Sequence, residues 1–470
     1  MIEHGCTRRD FLAGAALGAG SLALPAGRKP PAPRGKPNIV LILSDDAGYA
    51  DFSMNGSKQF PTPHIDSIAK KGVRFTQGYM TASVCSPSRA GLLTGRYQQR
   101  FGHEMNIGSR QPSENPEYIG LRPDQVTMAD ILKKAGYYTG AVGKWHLGEL
   151  PKYHPCNRGF DEFYGFLGGG SSYFLQRRRN ATYKNFKKVE IEPYLTDAFG
   201  DEACAFIRRN KSRPFFLYLA FNAVHTPMMA KKEDMEPFSG IKKKKRRILA
   251  GMTLALDRQV GNVLKTLRET GLEENTLLFF LNDNGGAVFF NASCNAPLNG
   301  KKGTFLEGGI RVPYLIQWPA VLPGGMTFEF PVSALDVLPT AAAAAGAPLP
   351  KGKKHKLDGV NLLPYLLGKK PGRPHQTLYW RRGYQAAIRD GDMKLIRLPD
   401  RLPLLFDLSK DISEQHDLLL EKPDLAQALM KKLFAWENTL TWPAWHTGYF
   451  WVKNNIHLYD KKYPLTQPGG

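Results

Sequence analysis

The residues able to do chemistry fall in a few short polar clusters. Asp45-Asp46 and Asp283-Asn284 offer only oxygen donors, the ligand type hard cations such as calcium or magnesium prefer. A lone Asp-Asp pair is commonly a turn or a cap. A second Asp-Asn pair behind another strand-like run shifts the reading to a shared cation site. Cys85 precedes Ser86-Pro87-Ser88-Arg89, where Ser86 suits a helix N-cap and Pro87 the first turn. A helix start presents unpaired N–H groups and a partial positive charge, so Cys85, with Arg89 about one turn further on, is placed to meet an anion. Taken alone, the two also read as a small buried thiol and a surface arginine. His146, two residues after Lys144, and His225, in His225-Thr226-Pro227, are further candidates. Either histidine by itself is more commonly a satisfied structural residue.

Apolar runs precede these clusters and must position them. Asn38 to Leu43 reads as a strand buried on both faces and ends at Asp45-Asp46. Tyr137 to Val142 ends at Gly143-Lys144-Trp145-His146, and Phe215 to Phe221 ends at Asn222 through Pro227. Thr276 to Leu281 ends at Asn282-Asp283-Asn284, and Val312 to Trp318 reads as a fifth strand. Helical stretches at Thr127 to Lys134 and Leu249 to Thr270 are stopped by Gly136 and Gly271. This alternation predicts an α/β fold, a large mostly parallel, mixed sheet flanked by helices. In such sheets ligands bind beyond the carboxyl ends of the strands, so one cleft can gather every cluster.

Thr340 to Gly346 ends a helix, and the Pro/Gly/Lys-rich stretch from Pro348 to Pro374 reads as a junction. Beyond it, short strand-like runs, a hairpin turn at Asp390-Gly391-Asp392 and a helix near Pro423 to Trp436 predict a smaller C-terminal subdomain of antiparallel sheet plus helix. The expected division is a signal over 1–27, a linker over 28–36, a catalytic domain over 37–346, a junction over 347–375 and the subdomain over 376–470.

Cys85-x-Pro87-Ser88-Arg89, continued by Ala90-Gly91-Leu92-Leu93-Thr94-Gly95-Arg96, resembles the signature of the type I, formylglycine-dependent sulfatases of the alkaline phosphatase superfamily. Gly143-Lys144-Trp145-His146-Leu147-Gly148 resembles that family's second signature, and His225-Thr226-Pro227 its His-x-Pro element. Lys302-Gly303-Thr304-Phe305-Leu306-Glu307-Gly308-Gly309 resembles its Lys-Gly-x-x-x-Glu-Gly-Gly block, which makes Lys302 rather than Lys301 the site lysine. The resemblance implies that Cys85 is oxidised to formylglycine, whose hydrated aldehyde attacks sulfur. It implies one divalent cation, calcium favoured over magnesium, held by Asp45, Asp46, Asp283, Asn284 and residue 85. It further implies that Asp283 acts as base and that His225, backed by Lys302, protonates the leaving alcohol. His146 would then take the proton of the second hydroxyl to expel sulfate, with Arg89 and Lys144 positioning the diol. Such cations suit a sulfate ester, whose S–O cleavage puts charge on the bridging oxygen.

Composition narrows the partner. The 470 residues are 42% hydrophobic and 23% charged, with a net charge of +22. That charge favours a polyanionic substrate, and without a nucleic-acid module the expected partner is a sulfated carbohydrate, not nucleic acid. Galactans, fucans and glycosaminoglycans stay equally open. Candidate specificity loops are Gln98 to Arg110, with His103 and Glu104, and Gly168 to Asn180, with Ser171, Tyr173, Arg177, Arg178 and Arg179. Lys242 to Arg247 reads as a solvated face, and Tyr449, Phe450, Trp451 and Tyr459 as packing residues.

Arg8-Arg9 before an apolar run from Leu12 to Leu24 resembles a twin-arginine export signal, too short and Gly-rich to be a stable membrane anchor. Expected partners in maturation are a formylglycine-generating enzyme and the export machinery, and the expected location is periplasmic or extracellular. Cys156, Cys204 and Cys294 allow at most one disulfide. Competing readings are a formylglycine-dependent phosphodiesterase or phosphonate monoester hydrolase, and a non-catalytic sulfated-glycan-binding protein in which Cys85 stays a thiol.

Overall fold

A computed structural model describes residues 35–108, 116–175, 180–191, 194–399, 401–446 and 449–463. The export-signal reading therefore lies outside the described residues. Alternate side chains of the strand Asn38–Ser44 enter opposite cores: Ile39, Leu41 and Leu43 on one face, Val40 and Ile42 on the other. A strand apolar on both faces needs a layer on each side, and the helices supply them.

The main sheet has ten strands. Five run parallel at its centre, in the order Thr276–Asn282, Asn38–Ser44, Phe215–Ala220, Tyr138–Lys144 and Glu162–Phe166. The last of these was not anticipated from the sequence. Tyr314–Gln317, within the run expected as a fifth strand, pairs antiparallel with Thr276–Asn282 and with Val73–Phe75. An apolar run carries no directional information, so only the connection decides this. The sheet is mixed.

Met128–Lys134 is capped by Thr127, whose side chain accepts from the Asp130 N–H while Asp130 reaches back to the Thr127 N–H. The long helix Lys244–Glu269 begins five residues before Leu249 and takes in part of the basic run. Within that run Arg246 departs from the solvated reading: it is buried, pairs with Asp51 at 2.5 Å and donates to the Ala292 carbonyl at 3.0 Å.

A second, four-stranded antiparallel sheet orders Thr377–Arg382, Gln385–Asp390, Met393–Arg397 and Leu404–Asp407, with the turn at Gly391 in the left-handed region (φ 61°). The helix Pro423–Glu437 covers one face, and the other packs on Tyr79, Phe305, Leu306 and Ile310 of the main body. Tyr459 is buried in that seam, where its hydroxyl accepts from the Phe305 N–H at 3.0 Å. No disulfide joins the described cysteines, and no described helix is long and apolar enough to cross a membrane.

Candidate active site

The polar clusters meet at the carboxyl ends of the central strands, because parallel neighbours in register must end together. Asp45-Asp46 follows Asn38–Ser44, Asp283-Asn284 follows Thr276–Asn282, His225 follows Phe215–Ala220, and Lys144 closes Tyr138–Lys144. Asp46 (φ 60°) and His146 (φ 58°) both adopt left-handed backbone, costly for residues with a Cβ and concentrated here at the strand ends.

Cys85 is the first residue of the helix Cys85–Thr94, all of which is buried. Ser86 does not cap it. The residue before the helix is Val84, and Ser86 lies inside the first turn, its hydroxyl 2.7 Å from His103 Nε2 and its N–H donating to Asn106 at 2.9 Å. Burial, with Asp283 adding to it, pushes the Cys85 thiol up to about 12.

Four residues converge on the carboxylates. Arg89 donates from Nε (3.0 Å) and Nη2 (2.8 Å) to Asp283 and from Nη2 to Asp45 (3.2 Å), while its Nη1 donates to the Lys144 carbonyl at 2.8 Å. Lys144 Nζ lies 2.5 Å from Asp45 Oδ2. Lys302 Nζ lies 2.6 Å from Asp46 Oδ1 and 3.2 Å from Cys85 Sγ. His225 Nε2 is 3.6 Å from Asp46 Oδ2, and its Nδ1 is 2.5 Å from the Thr226 carbonyl. Lys301 points elsewhere, over the Phe289 ring at 5.4 Å. Burial works against the Asp46 carboxylate, but Lys302 and His225 outweigh it and hold its pKa well below the ordinary range. Asp283 moves the other way, raised by burial and by Asp45 beside it.

Asp45, Asp46, Cys85 and His225 each present a ligand atom within 4.8 Å of the others, and together they form a site fit for a divalent cation. Asn284 supplies the test of that fit. Its Nδ2 donates to Asp46 Oδ1 at 2.8 Å, whereas its Oδ1 is buried without a hydrogen-bond partner. An orphaned amide oxygen among carboxylates is a hard-cation donor. His225 thus stands inside the cluster rather than beside it, while Asp283 is turned toward Arg89.

The remaining expectations fare differently. His103 is buried against Ser86 and Trp445, ring centroids 4.6 Å apart. Glu104 is buried and held by Arg381 through both carboxylate oxygens. Tyr173 is buried, its hydroxyl donating to the Asn222 and His225 carbonyls. All three make internal contacts. Arg177, Arg178 and Arg179 lie outside the described residues.

The sequence reading passed over two features. A Cβ on Gly169 would stand 2.6 Å from His146 Nε2, and one on Gly170 would stand 3.2 Å from His225 Cε1. The Gly168-Gly169-Gly170 run was the visible signal of this close approach. Asn222 is buried with both side-chain amide atoms unpartnered, for which the sequence holds no signal.

This chain is similar to known proteins. The sulfatase family model matches residues 37–347. The chain belongs to the sulfatase family. This sulfatase is 35% identical over 471 residues to human arylsulfatase A, covering 87% of this chain and 88% of that one. It is 35% identical over 381 residues to N-acetylgalactosamine-6-sulfatase of Canis lupus familiaris, covering 76% and 71%. The solved structure of Ps i-CgsB in complex with k-i-k-neocarrahexaose is 38% identical, with a TM-score of 0.83 over 92% of this chain and 98% of that one. The sulfatase is a sulfuric ester hydrolase.

Proposed function

We propose that this sulfatase releases sulfate from a sulfated oligo- or polysaccharide, using formylglycine made from Cys85 and a divalent cation, calcium before magnesium. The observation that carries the reading is the gathering of Arg89, Lys144 and Lys302 around Cys85 and the two aspartates. Three fixed cations at one buried point suit a sulfate group whose bridging oxygen gains charge as the S–O bond breaks.

Asp45, Asp46, Asp283, Asn284 and residue 85 would hold the cation, with His225 facing the same point. When bound, the cation supplies a positive charge against the sulfate oxygens, and formylglycine supplies a hydroxyl nucleophile. Asp283, fixed by Arg89, is the base. His225 donates its Nδ1–H to the Thr226 carbonyl, so its Nε2 gives a proton to the departing alcohol only from the imidazolium form, which the Asp46 carboxylate 3.6 Å away favours against burial. His146 has its Nε2 at the Ile107 carbonyl, 2.8 Å away, which leaves the buried and unpartnered Nδ1 to take the later proton. Arg89 and Lys144 hold the reacting group in line, and Lys302 backs His225 across Asp46.

Among galactans, fucans and glycosaminoglycans, the likeness to Ps i-CgsB favours an oligosaccharide of the neocarrahexaose type. Arg8-Arg9 supports export to the periplasm or beyond after oxidation of Cys85 in the cytoplasm. The test is sulfate release from a panel of defined sulfated oligosaccharides, run beside an aryl sulfate and an aryl phosphodiester. Release from a glycan is expected, and preference for the phosphodiester sinks the reading. Mass spectrometry of the peptide Thr81 to Arg89 is expected to show the aldehyde. An intact cysteine in active enzyme refutes the nucleophile.

A further inference from the structure

The basic run Lys242 to Arg247 splits into two kinds of residue. Arg246 is buried against Asp51. Lys242, Lys243, Lys244 and Lys245 are exposed, and among the described residues none of these four makes an ion pair. They sit at the start of the helix Lys244–Glu269, whose first turn holds no acidic residue. Like charges there repel one another and oppose the helix dipole, so the local physics disfavours the run.

Its position links it to the catalytic cleft. Arg246 donates to the Ala292 carbonyl at 3.0 Å, and Asn291, next in the chain, donates to the Asp46 carbonyl at 2.9 Å. Phe289 and Phe290, two and one residues before Asn291, are exposed. Lys301 Nζ lies over the Phe289 ring at 5.4 Å, beside Lys302 at Cys85. Arg246 thus ties the lysine run to the segment Phe289–Ala292, and Asn291 ties that segment to the catalytic Asp46, with Phe289 and Phe290 exposed between them. Alternating cations and an aromatic face are what a chain of sulfated sugar rings presents anions and C–H faces to.

We propose that Lys242, Lys243, Lys244 and Lys245, reached across Phe289 and Phe290, form an auxiliary track that binds a sulfated polysaccharide several units away from the ester being cleaved. This rests on the glycan sulfatase reading above and adds a preference for polymer over short substrate. The lysines contribute through released counterions, so the preference weakens as salt rises.

The test compares the parent with a variant carrying Lys242→Gln, Lys243→Gln, Lys244→Gln and Lys245→Gln, each on a sulfated polysaccharide, on its disaccharide and on an aryl sulfate. The expected result is a KM for the polymer raised about tenfold at about 50 mM salt, with the difference shrinking toward about 200 mM. Disaccharide and aryl sulfate kinetics report whether the fold and cleft are intact, and there the variant should follow the parent. Phe289→Ala should raise the polymer KM by a smaller factor. Equal polymer kinetics in parent and variant at every salt concentration overturn the track, as does an equal loss on all three substrates. A parent that releases sulfate from no glycan overturns the substrate reading instead.

Discussion

Two buried charge clusters in this sulfatase use similar residues to opposite ends. At the seam between the main body and the C-terminal sheet, Lys394 lies 2.7 Å from Glu307 and 2.8 Å from Glu414. Glu307 also accepts from the Tyr79 hydroxyl (2.5 Å) and from Arg311 (3.3 Å), and Glu414 accepts from the Glu307 N–H (2.7 Å). Every carboxylate oxygen there has a permanent partner. In the catalytic cluster, buried atoms without partners remain: Asn284 Oδ1, His146 Nδ1 and both ends of the Asn222 amide. A closed network fixes one packing, whereas an open one keeps capacity for a ligand. The Lys-Gly-x-x-x-Glu-Gly-Gly block serves both, since Lys302 enters the site while Glu307 enters the seam.

Changes on the two sides should separate cleanly. Cys85→Ala is expected to lower kcat on an aryl sulfate by about a thousandfold or more with little change in melting temperature. A variant that keeps activity would break the assignment of the open cluster. Lys394→Ala leaves buried Glu414 without its cation and Glu307 with Arg311 alone, and should destabilise the fold by about 3–5 kcal/mol, read by urea unfolding. The protein that remains folded should keep most of its kcat. Lys302→Ala should cost about a hundredfold in kcat, with Lys301→Ala mild. The reverse order would mean that the wrong lysine is in the site. Asn284→Ala should raise the calcium needed for half-maximal activity about tenfold, measured by titration after chelation.

A further effect is one of pH. Burial raises Glu414 from 4.5 to about 7 despite Lys394. The folded state then binds this proton more tightly than the unfolded state. Its contribution is full below about pH 4.5 and is lost as pH rises toward 7. Glu414→Gln should flatten that decline in urea unfolding across the same range, and an unchanged slope would assign the decline to another group.

The sequence alone determined four of the five central parallel strands, their apolar faces and the polar clusters at their ends, because these depend on local pattern. It also singled out Cys85, Lys144, His146, His225 and Lys302 through motifs whose residues stand close in the chain. The tertiary structure alone decided what each polar residue faces. Tyr314–Gln317 turned out antiparallel, Ser86 was taken by His103 rather than the helix end, and Glu104 was held by Arg381. Arg246 was drawn in by Asp51, and Asn284 was left with a buried oxygen to offer. Such partners are remote in sequence, and a side chain's charge or hydroxyl carries no record of which distant group will meet it. That pairing is set when the sheet closes and the helices cover it.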